Sequence, residues 1–277
     1  MTLLALHRAG SGRLPVDQPA VHADDEGFLR GRAVFETIRI YNGRPFRLAQ
    51  HLERLQRSAE LVGIAPPDVD GLAAAADGAA ADAGAGDAVL RLLWTPGREG
   101  AGAPEGFALV STLPPDLDEL RARGLRLASV DWATGRRLGS AKTTSYAENL
   151  AAANAALAAG SDDALLVQRD GLVLETPTAN VWWRRDAELY TPALELPILA
   201  GVTRSVVWEL AEQRGYRPNE ANATLADVED ADEIFLTASI REVMPVTLLD
   251  DKPVGGGRPG EAARSLQDAL RTLAVGI

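Results

Sequence analysis

Lysine is the residue type in this chain whose scarcity most directly suggests chemistry. Of the 28 basic residues, only Lys142 and Lys252 are lysines, and all the others are arginines. A lysine amine can lose its proton and add to a carbonyl, whereas a guanidinium stays charged at physiological pH. Lys142 lies among small polar residues, and the nearest carboxylate in the sequence is Glu148. The sequence therefore predicts a Schiff-base lysine at position 142, the alternative being a solvated lysine in a loop.

A second chemical signal is the segment Leu199-Ala200-Gly201-Val202-Thr203-Arg204, which opens a predicted helix ending near Gly215. The first N–H groups of a helix have no partner within the helix, and the helix dipole is positive at that end. The beginning of this helix is therefore predicted to suit a phosphate group.

Composition excludes several other kinds of chemistry. The chain has no cysteine, so thiol catalysis, disulfides and thiolate metal sites are excluded, and His7, His22 and His51 lack metal-ligand spacing. A net charge of −11 disfavours nonspecific binding to nucleic acids or anionic membranes. Because no run of about 18 apolar residues and no basic leader is present, we expect a cytoplasmic protein without membrane attachment.

The pattern of residues 1–113 predicts a small N-terminal α/β domain. Asn42-Gly43 between two apolar runs predicts a hairpin, and apolar residues at helical spacing after Leu48 predict a helix that ends at Gly63. The other predicted elements of this domain are a helix over 71–87 and strands over 33–41, 44–46, 88–95 and 106–112.

Pro114-Pro115-Asp116 predicts a connector to a larger C-terminal domain over 114–277. Strands are expected over 125–131, 164–168, 172–175, 180–183 and 233–237, and helices over the alanine-rich run ending near 160, over 199–215 and over 261–274. Together these elements predict an α+β fold of two domains.

Placed in chain order, several short motifs resemble those of class IV aminotransferases, the pyridoxal-phosphate enzymes of fold type IV. The resemblance spans about residues 22–275. Its carriers are DEGFLRG at 25–31, VFETIR at 34–39, HLERL at 51–55, Lys142, Glu175 five residues before Asn180, GVTR at 201–204, EIFLT at 233–237 and MPV at 244–246. The resemblance implies the two-domain fold of that family and pyridoxal 5′-phosphate as cofactor.

The resemblance also implies roles for individual residues. Lys142 would bind the cofactor as a Schiff base and carry a proton during the reaction. Glu175 would hydrogen-bond the pyridine nitrogen, and Tyr146 would lie near Lys142 or the cofactor's O3′. The other implied cofactor-binding residues, most of them around the phosphate, are Arg54, Asn180, Val202, Thr203, Ser239 and Ile240.

The motifs indicate the family more narrowly than the reaction that this chain catalyses within it. The segment 38–43 is most like that of D-amino-acid aminotransferases, whereas Thr37 and the pair Ile240-Arg241 depart from branched-chain members. We therefore expect a transaminase for D-amino acids and 2-oxo acids, with (R)-primary amines as a further donor class. The main alternative is 4-amino-4-deoxychorismate lyase, an elimination compatible with Thr37 and Ser239-Ile240-Arg241. A branched-chain L-amino-acid aminotransferase and a binding domain without catalysis are less favoured.

The substrate-binding group is expected to include an arginine, because the family's Arg-x-His carboxylate trap is not recognisable here. Arg30 is the first candidate, since it replaces a common tyrosine on a segment that in this family reaches the neighbouring subunit's active site. Further candidates are Phe35, Arg98 and Arg241, and each arginine could instead be a solvated charge. The partners expected are an amino donor, a keto-acid acceptor and a second copy of the chain in a homodimer.

Overall fold

A computed structural model describes residues 1–100, 102–132 and 138–276. The chain divides into two compact units, one comprising Met1–Pro114 with Ser140–Tyr146 and the other Pro115–Gly139 with Ala147–Ile277. The expected boundary after residue 113 lies beside this division. The segment containing Lys142 differs from the expectation, because it folds with the N-terminal unit although it follows the first strand of the second unit.

An antiparallel sheet forms the centre of the first unit. Its strands are β1 (Leu3–Arg8), β2 (Gly12–Arg13), β3 (Val34–Tyr41), β4 (Arg44–Pro45), β5 (Ala88–Thr95) and β6 (Glu105–Ser111). They lie in the order β2-β1-β6-β5-β3-β4. The helices of this unit are α1 (Glu26–Arg30), α2 (Leu48–Leu61) and α3 (Val69–Ala83).

Local sequence explains these elements. Asn42 and Gly43 both have positive φ, which is the conformation that a tight turn between antiparallel strands requires, and they join β3 to β4 as expected. The alanine-rich stretch forms α3, capped by the side chain of Asp68, which accepts from Gly71 N. The small side chains of α3 pack with β1 and β6, and α2 packs against β3.

The segment Ser140–Tyr146 joins the first unit through backbone hydrogen bonds to the beginning of β3. Phe35 N donates to Lys142 O at 3.0 Å, and Thr144 N donates to Ala33 O at 2.9 Å. Thr143 forms an antiparallel bridge with Val34. Because strand pairing of this kind links residues distant in sequence, the local pattern around Lys142 could not predict it.

The second unit contains a mixed sheet. Its strands are β7 (Leu125–Trp132), β8 (Asp163–Gln168), β9 (Asn180–Arg185), β10 (Glu188–Thr191), β11 (Arg217–Glu220), β12 (Glu233–Ala238), β13 (Glu242–Leu249) and β14 (Lys252–Pro253). The path runs β11-β10-β9-β12-β13-β7-β8, with β14 paired to β13. The helices of this unit are α4 (Leu117–Arg123), α5 (Ala147–Ala158), α6 (Val202–Gln213), α7 (Leu225–Glu229) and α8 (Glu261–Val275).

One central strand of this sheet differs from the sequence prediction. We expected no strand after residue 237, yet β13 lies between β12 and β7. Pro245 obscured it, because proline cannot donate to a ladder and argues against a central strand. Residues 172–175, expected to form a strand, pair with β8 through an isolated bridge between Val173 and Val167 and through backbone hydrogen bonds such as Leu174 N to Leu166 O at 2.9 Å.

The helices and sheets are those of an α+β fold with two units, as the sequence predicted. No helix among the described residues is long and apolar enough to cross a membrane.

Candidate active site

The side chain of Lys142 lies against an aromatic pair in the first unit. Its Nζ is 4.6 Å from the centroid of the Phe35 ring. The Phe35 ring meets Tyr146 edge to face, with ring centroids 5.7 Å apart. The backbone of Lys142 is fixed on both sides, because its N–H donates to Ser58 Oγ at 3.1 Å and its C=O accepts from Phe35 N. Three residues expected in the site, Lys142, Phe35 and Tyr146, are therefore neighbours.

A buried charge cluster joins α2 to β3 in the same unit. Arg54 donates to both oxygens of Glu36, from Nε at 2.8 Å and from Nη2 at 2.6 Å. Nδ1 of His51 lies 2.7 Å from Glu36 Oε2. All three side chains are buried, and Glu36 is completely so. Bidentate pairing of this kind fixes the plane of the Arg54 guanidinium.

The cluster is held in a defined ionisation state. Burial alone would raise the pKa of Glu36, but the charge and hydrogen bonds of Arg54, with those of His51, outweigh it and lower that pKa to about 2. Burial lowers the pKa of His51, opposed by Glu36 and assisted by the charges of Arg54 and Lys142. Glu36 is therefore an anion and His51 is neutral at physiological pH.

In the second unit, Glu175 and Asn180 face each other as the sequence spacing suggested. The Asn180 amide donates from Nδ2 to Glu175 Oε2 at 3.0 Å and to Leu199 O at 2.8 Å. Leu199 N donates to the same Glu175 oxygen at 3.2 Å. These bonds orient the half-buried carboxylate of Glu175.

The first turn of α6 begins beside Asn180. A Cβ added to Gly201 would lie 2.0 Å from Asn180 Oδ1, so the close approach requires glycine. In the described part of the chain, no side chain caps this helix end, and its first turn contains no acidic residue. The first N–H groups of α6, including those of Val202 and Thr203, are therefore suited to an anion, and the phosphate role expected for them stays a prediction.

The hairpin between β12 and β13 lies at the same edge of the sheet. Asn180 at the beginning of β9 is paired with Thr237 near the end of β12. Ser239, Ile240 and Arg241 form the turn that follows, and all three are partly buried. The residues of the second unit that were expected to bind cofactor are therefore grouped at one edge.

The three arginines expected to bind substrate all have carboxylate partners. Arg30 pairs with Glu99, and Arg98 donates to both oxygens of Asp24, in each case with the arginine side chain more than half exposed. These two lie in the first unit. Exposed pairs of this kind contribute little to stability, because water screens them, and they can be exchanged for a ligand.

Arg241 has a less exposed partner. Its guanidinium is bound to Asp163, whose side chain is buried. Removing one member of a buried pair leaves an uncompensated charge, so this partner is less readily exchanged for a ligand than those of Arg30 and Arg98. A substrate-binding role for Arg241 stays a prediction.

Comparison with known proteins identifies the family. The model of the family described as amino-transferase class IV matches residues 33–249. The chain belongs to this family. The matched residues include Lys142, Glu175 and the residues grouped at the sheet edge, from Asn180 to Ile240.

Named relatives cover nearly the whole chain. It is 33% identical over 273 residues to a bifunctional aminodeoxychorismate lyase / D-amino acid transaminase of Mycobacterium tuberculosis, covering 91% of this chain and 93% of that protein. It is 32% identical over 263 residues to a D-alanine aminotransferase of Bacillus licheniformis, covering 91% of each. Relatives named as branched-chain-amino-acid aminotransferases match as well.

A solved structure has the same fold. A hypothetical aminotransferase from Mycobacterium tuberculosis in a PLP-bound form superposes with a TM-score of 0.91 at 30% sequence identity, covering 98% of this chain and 99% of that one. The class IV family comprises enzymes that use pyridoxal 5′-phosphate, and this chain is such an aminotransferase.

The residues present fit this cofactor. The uncapped first turn of α6 suits its phosphate, and the contact of Gly201 with Asn180 leaves the helix end without a side chain that would fill the cradle. The oriented carboxylate of Glu175 suits a protonated ring nitrogen. Lys142 has the amine that the cofactor's aldehyde group requires.

Sequence reasoning missed several residues that hold these groups. Glu36 and His51 lay inside quoted motifs but were given no role, and Ser58 and Gly201 were not assigned as supporting residues. Two signals were available. Glu36 is a glutamate inside an apolar strand, and His51 and Arg54 are three positions apart and therefore lie on one face of a helix. A buried carboxylate requires a cation, and that rule could have paired Glu36 with Arg54.

The depressed pKa of Glu36 predicts a pH-dependent contribution to stability. Glu36→Gln should lower the free energy of unfolding by about 3–5 kcal/mol at neutral pH, because Arg54 is left buried without its anion. Since the folded-state pKa lies below its ordinary value of 4.5, the wild-type advantage is complete above about pH 4.5 and declines as the pH falls towards about 2.

Urea unfolding of both proteins between pH 7 and the lowest pH at which they remain folded measures this difference. Glu53→Gln, at an exposed position of α2, is the control and should leave stability nearly unchanged. A gap between wild type and Glu36→Gln that stays constant below pH 4 would contradict a depressed Glu36 pKa.

The close contact at Gly201 predicts a specific loss of cofactor binding. In Gly201→Ala the new methyl group must displace Asn180, which disturbs both the first turn of α6 and the amide that orients Glu175. We expect the dissociation constant for pyridoxal phosphate to rise at least about tenfold, as for loss of one or two charge-assisted hydrogen bonds. Titration of the apoprotein measures it. Gly86→Ala is the control, because an added Cβ there meets nothing within 4 Å.

Proposed function

We propose that this chain is a D-amino-acid transaminase that carries its cofactor on Lys142. The observation that supports it most strongly is the placement of this lysine, with Nζ 4.6 Å from the centroid of the Phe35 ring and its backbone fixed to β3 and α2. The other lysine, Lys252, is 65% exposed and bonded to both oxygens of Glu229. It has the features of a surface ion pair and none of an active site.

Different residues have groups suited to different parts of the cofactor. Lys142 would bind its aldehyde carbon, and Glu175, oriented by Asn180, would bind the ring nitrogen. Tyr146 would contact the lysine or the neighbouring ring oxygen. The phosphate would be bound by the first turn of α6, by the hairpin loop after β12 and by one arginine; these residues are Val202, Thr203, Ser239, Ile240 and Arg54.

The cofactor and the protein residues would perform different parts of the reaction. When bound, pyridoxal phosphate supplies an electron sink for the bond broken at the substrate's α-carbon. Lys142 Nζ, released as a free amine once the substrate is bound, would take the proton from that carbon and later return a proton. The Glu175 carboxylate would keep a proton on the ring nitrogen, because an anion beside it favours the charged form. Phe35 would give the lysine an apolar surface on one side.

The substrate class is supported by similarity. The named relatives include a D-alanine aminotransferase and a protein named for D-amino acid transamination. The segment 38–43 of this chain is like that of D-amino-acid enzymes, and Thr37 departs from branched-chain members. We therefore propose D-amino acids and 2-oxo acids as the main substrates, with (R)-primary amines as a further donor class.

The lyase reaction is the second candidate, favoured by one observation. The relative that is 33% identical is named for both aminodeoxychorismate lyase and D-amino acid transaminase activity. Both reactions use a lysine and an acidic partner of the ring nitrogen, so Lys142 and Glu175 serve either. The two activities are separated by their products and by the need for an amino acceptor.

A half-reaction tests the main proposal. With D-alanine and no keto acid, the protein loaded with pyridoxal phosphate should form about one pyruvate per site and convert its cofactor to pyridoxamine phosphate. L-Alanine should react far more slowly. Lys142→Arg should lose the reaction, because a guanidinium stays protonated, and Lys252→Arg should retain it.

The measurements are the visible absorption spectrum and pyruvate released in a single turnover. Pyruvate and 4-aminobenzoate formed from 4-amino-4-deoxychorismate without an acceptor, together with no reaction of D-alanine, would replace the transaminase with the lyase. Full D-alanine activity in Lys142→Arg would remove Lys142 from its proposed role.

We further propose that the protein is a homodimer in which Arg30 binds the substrate carboxylate in the partner subunit's active site. Arg30 ends α1, where Phe28 and Leu29 are 74% and 50% exposed, which is typical of a surface covered by another chain. The Arg30 side chain is itself largely exposed beside Glu99, so a substrate carboxylate can take the place of that partner.

Mixed dimers test the role of Arg30. Arg30→Ala should raise the Michaelis constant for amino acids while sparing cofactor binding, and Lys142→Arg should be inactive. Co-expression of the two variants should produce dimers with one complete site, restoring high-affinity activity to about a quarter of all sites if the chains pair at random. A monomeric mass in sedimentation, or no gain over Arg30→Ala alone, would contradict the proposal.

A further inference from the structure

The hairpin loop Ser239-Ile240-Arg241 ends at a residue with an unusual backbone. Glu242 is paired with Ala238 across the loop and has φ +57°. Three-residue hairpin loops commonly place such a left-handed residue at this point, and glycine is the residue that adopts it without strain. A non-glycine residue held in this region indicates that its side chain is needed.

The Glu242 side chain is completely buried and is surrounded by donors. Its Oε2 accepts from Gln267 Nε2 at 2.6 Å, from Arg121 Nη2 at 2.9 Å and from Arg271 Nε at 3.2 Å. Gln267 also accepts from Val243 N through Oε1 at 2.9 Å, so it holds the first two residues of β13. These contacts join the loop to α4 and α8.

The loop residue before Glu242 is fixed as well. Arg121 Nη2 donates to the backbone carbonyl of Arg241 at 3.2 Å. The guanidinium of Arg241 is bound to buried Asp163 in β8. The C-terminal side of the loop is thus tied by its backbone and by two side chains, whereas Ser239 and Ile240 are the residues proposed to meet the phosphate.

We propose that Glu242, with Arg121, Gln267 and Arg271, forms a positioning network that holds the Ser239-Ile240 turn in the geometry that binds the cofactor phosphate. Glu242 acts through the loop and not by contact with the cofactor. The proposal rests on the phosphate role assigned above to this turn. It adds that the C-terminal helix α8, through Gln267 and Arg271, helps to set cofactor affinity.

A positioning role differs from a purely structural one in its effect on two related ligands. Pyridoxal phosphate and pyridoxal both react with the lysine, but only the first has a phosphate. A displaced phosphate loop should therefore weaken binding of the phosphorylated ligand selectively. General loss of stability should weaken both ligands by similar factors.

The test is titration of the apoprotein with each ligand. Glu242→Gln keeps the size of the side chain but removes the charge, and we expect the dissociation constant for pyridoxal phosphate to rise about tenfold and that for pyridoxal by less than about twofold, as for one charge-assisted hydrogen bond lost. The phosphorus NMR shift of the bound cofactor should move as well. Arg271→Met should produce a smaller selective change, about threefold.

The matched control is Arg264→Met, at an exposed position of the same helix and outside the network, which should leave both constants unchanged. If Glu242→Gln does not fold, Arg271→Met gives the same comparison. Equal changes for both ligands in the network variants, or no change for either, would overturn the proposal.

Failure of the proposed function is distinguishable from failure of this network. If the wild-type protein binds pyridoxal phosphate no more tightly than pyridoxal, the phosphate site itself is wrong, and the network proposal is overturned with it. If the wild type prefers pyridoxal phosphate and the Glu242 and Arg271 variants keep that preference in full, only the network proposal is overturned.

Discussion

Pairing of buried carboxylates with arginine is the interaction on which the candidate site residues of each unit depend. An anion removed from water needs a positive partner and several hydrogen bonds, and a guanidinium supplies both in a planar, bidentate form. Glu36 meets Arg54 in the first unit. Asp163 meets Arg241, and Glu242 meets Arg121 and Arg271, in the second. Arginine thus serves the architecture, which explains why a lysine among so many arginines indicated chemistry.

Local signals predicted the elements whose causes are local. Asn42-Gly43 forms its turn, and the helix expected to open near Gly201 is α6. The strand expected over 88–95 is β5 with the same bounds. In each case nearest neighbours in sequence determine the backbone, through positive φ, helix-end chemistry or alternation of apolar residues. These signals located the beginning of α6 without any knowledge of the sheet to which it is attached.

Signals that depend on distant residues were not available from the sequence. Lys142 was assigned to the C-terminal domain because it follows β7, but its segment pairs with β3, more than a hundred residues earlier. β13 escaped because Pro245 opposes a strand, although its neighbours β12 and β7 impose one. The partner of Arg241 was equally hidden, because charge alone does not reveal that a buried Asp163 lies opposite. In all three cases, tertiary contacts decide what local patterns do not contain.

Glu242 shows how such conflicts are resolved at one position. Glycine would relieve the left-handed backbone, but it would remove the buried carboxylate that Arg121 and Arg271 share and leave them the exposed carboxylate of Asp118. Strain in the backbone is of order 1–3 kcal/mol, whereas loss of a buried anion from such a pair is about 3–5 kcal/mol. The electrostatic effect is the larger, so glutamate is favoured despite its φ. The preference for glycine at positive φ is overridden here, because two arginines from separate helices donate to the same carboxylate oxygen of Glu242. Their hydrogen bonds also restrict the motion of the adjacent turn.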